Sequence, residues 1–309
     1  MSYEDDVTTR VKGRWPSVLK ELGIDEKYLV NKHGPCPLCG GKDRYRFDNH
    51  GGDGMYFCSG CGAGNGWNLV QKYFNVNWVD AVGMVEPLVG LLRDKLGDVE
   101  TPVKRDPVPA LKFVAGKTSH VKYEGSVYRY LKSRGFDEVP EGLREASLNY
   151  YEEGRSLGQY DTLVSLIQDF EGKGVSYHLT YTKDGEKADI KTSRKVMSPK
   201  GTITGAAIRL HVDFEDKICV AEGIESAYAA HIDSGFPAFA TVTAHGLETF
   251  VVPEGVKTVW IYGDNDASYT GQAAAYALAK RLRIAGVEAW VFIPDRVGED
   301  FNDVLMKKK

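Results

Sequence analysis

Several absences in this 309-residue sequence bound what it can be. It has no excess of positive charge: 39 Lys and Arg stand against 43 Asp and Glu, for a net charge of −4. That excludes a uniformly basic coat of the kind that binds nucleic acid tightly over the whole surface, and leaves only local basic clusters. No apolar run approaches the roughly 18 residues of a membrane-spanning helix, so no transmembrane segment is expected. The opening Met1-Ser2-Tyr3-Glu4-Asp5-Asp6 is acidic and polar, which predicts no secretory leader and a cytoplasmic chain with reduced thiols. A phosphate-cradling loop is lacking too. Ala115-Gly116-Lys117-Thr118 imitates its end, but Leu111 stands where the pattern needs glycine, so no ATPase site is expected.

Cysteine is also scarce, with five in all, yet four of them are patterned. Cys36-Pro-Leu-Cys39 and Cys58-Ser-Gly-Cys61 are two CxxC pairs separated by eighteen residues. This spacing builds a tetrahedral thiolate site for structural zinc. Gly40, Gly41 and Gly62 follow the knuckles, where the backbone must turn beneath the metal. His33 is close by, but four cysteines already satisfy zinc, so it reads as a surface residue. Cys219, within Ile218-Cys219-Val220-Ala221, reads as an inert core residue.

The chain divides by composition and periodicity. Residues 1–96 read as a zinc-ribbon domain, with helices at 7–22, at 67–74 and at 78–93, the last interrupted near Pro87. Residues 97–115 read as a Pro-rich, charged linker. Residues 116–212 are mixed α+β, with a helix at 124–134 and strands at 161–169 and 174–182. Residues 213–309 alternate: strands 217–221, 237–243, 257–262 and 287–293 interleave with helices 224–234, 246–250 and 270–285. That alternation predicts an α/β parallel sheet with helices on its faces.

Parallel sheets present ligands at the carboxyl ends of their strands. Acidic residues stand at three such ends: Glu222-Gly223, Gly263-Asp264-Asn265-Asp266, and Asp300-Phe301-Asn302-Asp303. Asp264 and Asp266 alternate, so in an extended segment both face one side. Paired carboxylates suit Mg²⁺ or Mn²⁺, which can hold a triphosphate and stabilise in-line displacement. Glu222 can ligate the metal or act as general base. Solvated loop carboxylates would explain one such cluster, but three at successive strand ends favour a site.

The acidic series Glu222-Gly223-Ile224-Glu225-Ser226, Gly263-Asp264-Asn265-Asp266 and Glu299-Asp300-Phe301-Asn302-Asp303 resembles a Toprim domain. The stretch from Cys36 to Phe47 and on to Cys58-Ser59-Gly60-Cys61-Gly62-Ala63-Gly64 resembles the zinc ribbon of phage and satellite-phage primases. Ser198-Pro199-Lys200-Gly201 through Gly205-Ala206-Ala207-Ile208-Arg209-Leu210 is similar to the segment joining the two in that family. The resemblance spans roughly residues 30–309 in the family's order. It implies a DNA primase that makes short RNA primers on single-stranded DNA from nucleoside triphosphates. It also implies the cytoplasm of a bacterial host if the chain is phage- or plasmid-encoded. In this resemblance the catalytic glutamate matches Glu222, the metal-binding aspartates match Asp264 and Asp266, and the third acidic group matches Asp300 or Asp303. The sequence departs from the pattern once. Many bacterial primases carry an aspartate four residues after the glutamate; here that position is Ser226, and Glu225 is the nearest acid. With no ATPase loop, the replicative helicase is expected to be a separate chain.

A primase also needs cations for phosphates. Arg44, Tyr45, Arg46 and Phe47 alternate on one predicted strand, so the arginines can face the template while the aromatics fill the ribbon core. The arginines have no comparable packing role. Lys187, Lys191, Arg194, Lys195, Lys200 and Arg209 form the cluster from which triphosphate or template ligands are expected. Two rivals remain. One is a Toprim nuclease, since the chain is short for a topoisomerase. The other is a non-enzymatic zinc-ribbon factor that binds single-stranded DNA.

Overall fold

The computed structural model describes residues 3–91, 106–152 and 154–309. It divides into two compact units, Met1–Arg105 and Asp106–Lys309.

The first unit begins with two helices, α1 (Tyr3–Val11) and α2 (Trp15–Glu21). A single helix was expected over 7–22. Gly13 breaks it with φ of 81°, and Pro16 opens the next helix in its first turn. Four antiparallel strands follow in the order β1 (Gly34–Cys36), β2 (Gly40–Phe47), β3 (Tyr56–Cys58) and β4 (Gly62–Gly64). Helix α3 (Gly66–Phe74) starts at a capping box in which Asn65 and Asn68 bond each other's backbone. Helix α4 (Trp78–Leu91) runs unbroken through Pro87, against the expected interruption. Its buried Ala81, Val82, Val85 and Val89 pack in the same core as α1, α2 and α3, and that burial outweighs the missing hydrogen bond. The core is one cluster joining Trp15, Leu19 and Val70 of the helices to Tyr45, Phe47 and Tyr56 of the ribbon. Trp67 stands edge-on to Trp15 at 5.0 Å. A Cβ on Gly66 would sit 2.1 Å from the Trp15 ring, so this approach requires glycine.

The second unit is built on a ten-stranded sheet. Helices α5 (Val108–Ala115) and α6 (Ser126–Ser133) lead into β5 (Leu143–Glu152), β6 (Arg155–Gln168), β7 (Gly174–Lys183), β8 (Glu186–Lys187), β9 (Arg194–Val196) and β10 (Ala207–Arg209). Then come β11 (Lys217–Ala221), α7 (Ile224–Ser234), β12 (Ala238–Ala240), α8 (Ala244–Thr249), β13 (Thr258–Tyr262), α9 (Thr270–Ile284), β14 (Glu288–Phe292) and α10 (Phe301–Lys308). The expected linker needs correction. Its residues 97–105 lie outside the described residues, while Val108–Ala115 is a helix whose Val114 is buried in a cluster with Leu148 and Leu179.

The sheet's main path runs β14-β13-β11-β12-β10-β6-β7-β8, with β5 on β6 and β9 on β7. The strands β14, β13, β11 and β12 are mutually parallel, as the βα alternation predicts. β10 is antiparallel to both β12 and β6, and so joins the two halves into one sheet. The sheet runs on across residues 212 and 213, where the sequence places a domain boundary. From β11 the chain goes first to β12 on one side and then to β13 on the other, so the strand order reverses between β11 and β13. A crevice at the carboxyl ends of such strands is where open α/β sheets bind ligands.

Candidate functional site

In the first unit each CxxC is a hairpin turn of the four-stranded sheet. Cys36 ends β1 and Cys39 precedes β2; Cys58 ends β3 and Cys61 precedes β4. The four sulfurs lie within 4.8 Å of one another, with Cys36–Cys61 at 3.6 Å and Cys39–Cys58 at 3.7 Å. A tetrahedron with Zn–S bonds of about 2.3 Å has S–S edges of about 3.8 Å, so the cage fits zinc. Backbone N–H groups of Leu38 and Gly60 point at the Cys36 and Cys58 sulfurs, at 3.4 and 3.3 Å. Such donors stabilise thiolates. The metal is a structural zinc, because four protein ligands leave no open position.

Beside this cage β2 alternates as expected. Tyr45 and Phe47 are buried and Arg46 is exposed. Arg46 lies 3.9 Å from Asp48 and directly opposite the half-exposed Phe57 of β3. Arg44 needs correction, since it does have a packing role. Its side chain lies over two knuckle glycines, and a Cβ on Gly41 or Gly60 would collide with it at 2.2 or 2.7 Å. His33 is exposed.

In the second unit two of the acidic clusters, those after β13 and β14, come together, and Glu222 follows the neighbouring strand β11. Glu222 follows β11, and its carbonyl accepts a 2.8 Å hydrogen bond from the Val242 N–H beyond β12. Val242 holds φ at 71°, which a β-branched residue adopts only under strain, here beside the candidate site. Beyond β13, the loop carrying Asp264 and Asp266 is tied in three ways. The Asn265 N–H donates to the Glu299 carbonyl at 3.0 Å, the Asn265 amide donates to the Pro294 carbonyl at 2.7 Å, and the Gly298 N–H donates to the Asn265 carbonyl at 2.7 Å. These bonds bring the loop after β13 against the loop after β14, and so bring Asp264 near Asp300. Gln272 of α9 adds bonds to Asn265 and to the Asp266 backbone. Gly271 lets α9 come this close, because a Cβ there would meet the Asp264 carbonyl at 2.6 Å.

The carboxylates differ in environment. Asp266 Oδ2 accepts the Gly271 N–H at 2.9 Å, at the N-terminus of α9, where a negative charge is favoured. Asp300 caps α10, accepting the Asp303 N–H at 2.8 Å, while Asp303 bonds back to the Asp300 N–H. Asp264 is half-buried, and its buried Oδ1 has no hydrogen-bond partner. Burial first, and then the charges of Asp300, Asp266 and Asp303, push its carboxyl up to about 7. Burial also pushes the Asp300 carboxyl up. An orphaned carboxylate oxygen beside further carboxylates fits a hard dication. Among the described residues only the four cysteines bring three or more ligand atoms within 4.8 Å. The carboxylates stand wider apart, as suits an ion that keeps waters and substrate oxygens.

The basic residues separate. Arg194 bonds Glu225 directly, and Lys187 lies 4.0 Å from the same carboxylate oxygen. Lys187 also lies within electrostatic reach of Asp300 and Arg134. Lys191 pairs with Glu152 at 3.5 Å. Lys195 donates to the Tyr151 carbonyl at 2.7 Å and sits 3.8 Å over the Tyr150 ring. Lys200 is exposed on the segment after β9. Arg209 bonds the Asp169 and Phe170 carbonyls and lies over Phe214 and Phe239, so it clamps the β6–β7 turn. Arg134 and Asn302 escaped the sequence reading. The Asn302 amide donates to the Arg134 carbonyl at 2.7 Å, while Arg134 Nε and Asn302 Oδ1 are buried without partners. The signal available was the i,i+4 spacing of Tyr130 in α6 and Arg134 at its C-cap.

Comparison with known families divides the chain similarly. Residues 31–67 match the zinc-binding domain of primase-helicase, and residues 217–309 match the Toprim domain. Residues 117–210 match a domain of unknown function, DUF7146. Among solved structures, the primase fragment of the bacteriophage T7 primase-helicase protein is 15% identical, with 90% of this chain and 95% of that chain covered and a TM-score of 0.37. The Aquifex aeolicus primase, zinc-binding and RNA polymerase domains, is 15% identical over 99% of this chain and 83% of its own, with a TM-score of 0.36. A DNA primase domain from Pseudomonas aeruginosa is 15% identical over 68% and 70%, with a TM-score of 0.36. No helix among the described residues is long and apolar enough to cross a membrane. With four thiolates shaped for zinc and the acidic strand ends of a Toprim domain, which implies Mg²⁺ or Mn²⁺, the chain has the domain architecture of a primase.

Proposed function

We propose that this chain is a DNA primase that makes short RNA primers on single-stranded DNA in the cytoplasm of a host cell, working with a separate replicative helicase. The observation that carries the reading is that Asp264, just beyond β13, lies within electrostatic reach of Asp266, Asp300 and Asp303 in a Toprim sheet whose strand order reverses between β11 and β13, in a chain with a match to the zinc-binding domain of primase-helicase.

Bound Mg²⁺ or Mn²⁺ would neutralise charge on the triphosphate and make the attacking 3′-hydroxyl easier to deprotonate. The protein's part is to hold these groups in line. Asp264 would hold the dication as a carboxylate, and the positive charge there would offset the burial and the neighbouring charges that keep its carboxyl high. Asp266 is held by its bond to Gly271, so its Oδ1 can face a metal without reorganisation. Asp300 is held in the same way by its cap. Glu222 serves as a further ligand or as the base for the 3′-hydroxyl. Arg194 and Lys187 supply the cations that a triphosphate needs, while Lys191, Lys195, Lys200 and Arg209 stand lower as candidates because three of them are committed to local partners.

The test is direct. The protein is incubated with random single-stranded DNA, Mg²⁺ or Mn²⁺ and labelled nucleoside triphosphates, and the products are sequenced. Template-dependent oligonucleotides beginning with a triphosphate support the reading. Shortened DNA without nucleotide incorporation would instead mark a Toprim nuclease, and DNA binding with neither product would mark a non-enzymatic factor.

Template binding by the ribbon has its own test. Arg46→Ala should weaken single-stranded DNA binding with zinc content unchanged, and should lower the salt slope by about 0.7 for each phosphate it no longer neutralises. Arg44→Ala should in addition loosen the ribbon, because it uncovers Gly41 and Gly60. An unchanged salt slope for Arg46→Ala would leave that residue as surface only.

A further inference from the structure

Glu225 stands where a metal ligand would be sought, since Ser226 occupies the position of the acid found in many related primases. Its surroundings argue otherwise. The side chain lies in the first turn of α7 and is 6% exposed. One oxygen, Oε1, faces a hydroxyl and two cations. The Tyr130 hydroxyl donates to it at 2.5 Å, an Arg194 guanidinium N–H donates to it, and the Lys187 ammonium lies 4.0 Å away. Oε2 is turned toward Gly223. Burial by itself would push this carboxyl up, but Arg194, the Tyr130 hydroxyl and Lys187 outweigh it and hold it down to about 2.

The two cations are not buried with it. The Lys187 and Arg194 side chains keep 36% and 42% of their surface exposed. They come from β8 and β9 of the antiparallel half, whereas Glu225 belongs to the parallel half. Asp300 lies within electrostatic reach of Glu225 and Arg134, and Lys187 within reach of Asp300. Two long, flexible cations are thus tethered at one end beside the carboxylate crevice, with donors left over.

We propose that Glu225 is a positioning residue that binds no metal and fixes Arg194 and Lys187 to grip the polyphosphate of a nucleoside triphosphate held at Asp264 and Asp300. The proposal rests on the reading of the crevice as a nucleotide site. Fixing the cations in advance removes the ordering cost that a bound triphosphate would otherwise meet. A cluster serving only to lock the two halves of the sheet would change melting temperature and leave nucleotide affinity of the folded protein alone.

Binding measurements on the full chain separate these roles. Wild type, Glu225→Gln, Arg194→Met and the double variant are titrated with Mn²⁺ alone, and with guanosine triphosphate in Mg²⁺, after melting curves confirm folding. Mn²⁺ affinity should stay within about twofold in Glu225→Gln, whereas nucleotide affinity should fall about tenfold in each single variant. The double variant should lose less than the product of the two single losses, because Glu225 acts in part through Arg194. Mn²⁺ affinity lost in Glu225→Gln, unchanged nucleotide affinity, or two independent losses that multiply would each overturn the proposal. Should Glu225→Gln not fold, Arg194→Met decides alone, with unchanged nucleotide affinity as the overturning result. A wild type that binds in the expected pattern but joins no nucleotides would sink the primase reading and leave this proposal standing.

Discussion

Asp264→Asn should stop nucleotide joining while making the metal-free protein more stable. The loss follows from the site's construction. Asp264 is the half-buried carboxylate whose enclosed Oδ1 has no hydrogen-bond partner, and a metal held there would supply several kcal/mol of transition-state stabilisation, or about a thousandfold in rate. Asn keeps the volume and removes the charge. The gain in stability has the opposite sign because the charge is unfavourable without metal. The folded carboxyl is raised from 3.8 to about 7, so between those values the native state binds more protons than the unfolded chain. Metal-free stability should therefore be full below about pH 4, fall as pH rises through about 7, and level off by up to about 4 kcal/mol lower. In Asp264→Asn this decline should be absent, and saturating Mg²⁺ should raise the melting temperature of wild type only. Melting curves from pH 4 to 8 with and without Mg²⁺, beside a primer-synthesis assay, check both halves. If Asp264→Asn and Asp266→Asn both retained synthesis, the active site would lie elsewhere.

Cys39→Ser should cost the first unit its zinc and its four-stranded sheet. The ribbon strands β1, β3 and β4 have three residues each, and their hairpin turns are the knuckles themselves. Structural zinc supplies about 10–16 kcal/mol of apparent binding energy in small modules, far more than three-residue strands gain by pairing. A zinc ribbon of this size standing alone would have almost no core. The structure modifies that, because Tyr45, Phe47 and Tyr56 share one buried cluster with Trp15, Leu19 and Val70. The expected result is a ribbon that exchanges amide hydrogens freely, helices that stay partly protected, and a second unit that melts as in wild type. Zinc measured by elemental analysis should fall to background. Full zinc content with an intact ribbon in Cys39→Ser would show that three thiolates suffice.

How far the sequence reached depended on the range of the interaction behind each feature. The zinc cage was legible in full, because two ligands three residues apart are placed by one local turn. The parallel half was nearly as legible: strand 217–221 and helix 224–234 agree to the residue with β11 and α7. Helix breaks were misjudged in both directions. Gly13 breaks a helix that periodicity carried through, and Pro87 fails to break one, because burial of one face of α4 decides the second case. Arg44 looked free of packing duties, since nothing in a linear pattern shows its side chain lying across Gly41 and Gly60 of two different knuckles.

The sequence alone determined which chemistries the protein can hold: four thiolates at zinc spacing and carboxylates following three strands of an alternating βα chain. Local geometry and the rule that parallel strands present their carboxyl ends to ligands were enough for that. Only the tertiary structure decided which of these groups work together. It joined the antiparallel half to the parallel half through β10, drew Arg194 and Lys187 onto Glu225, and bonded Asn265 to the loop after β14 so that Asp264 comes near Asp300. The reason is physical. A carboxyl's environment depends on charges and buried surface contributed by segments tens of residues away, and their closeness is set by sheet register and core packing, which no local pattern of residues encodes.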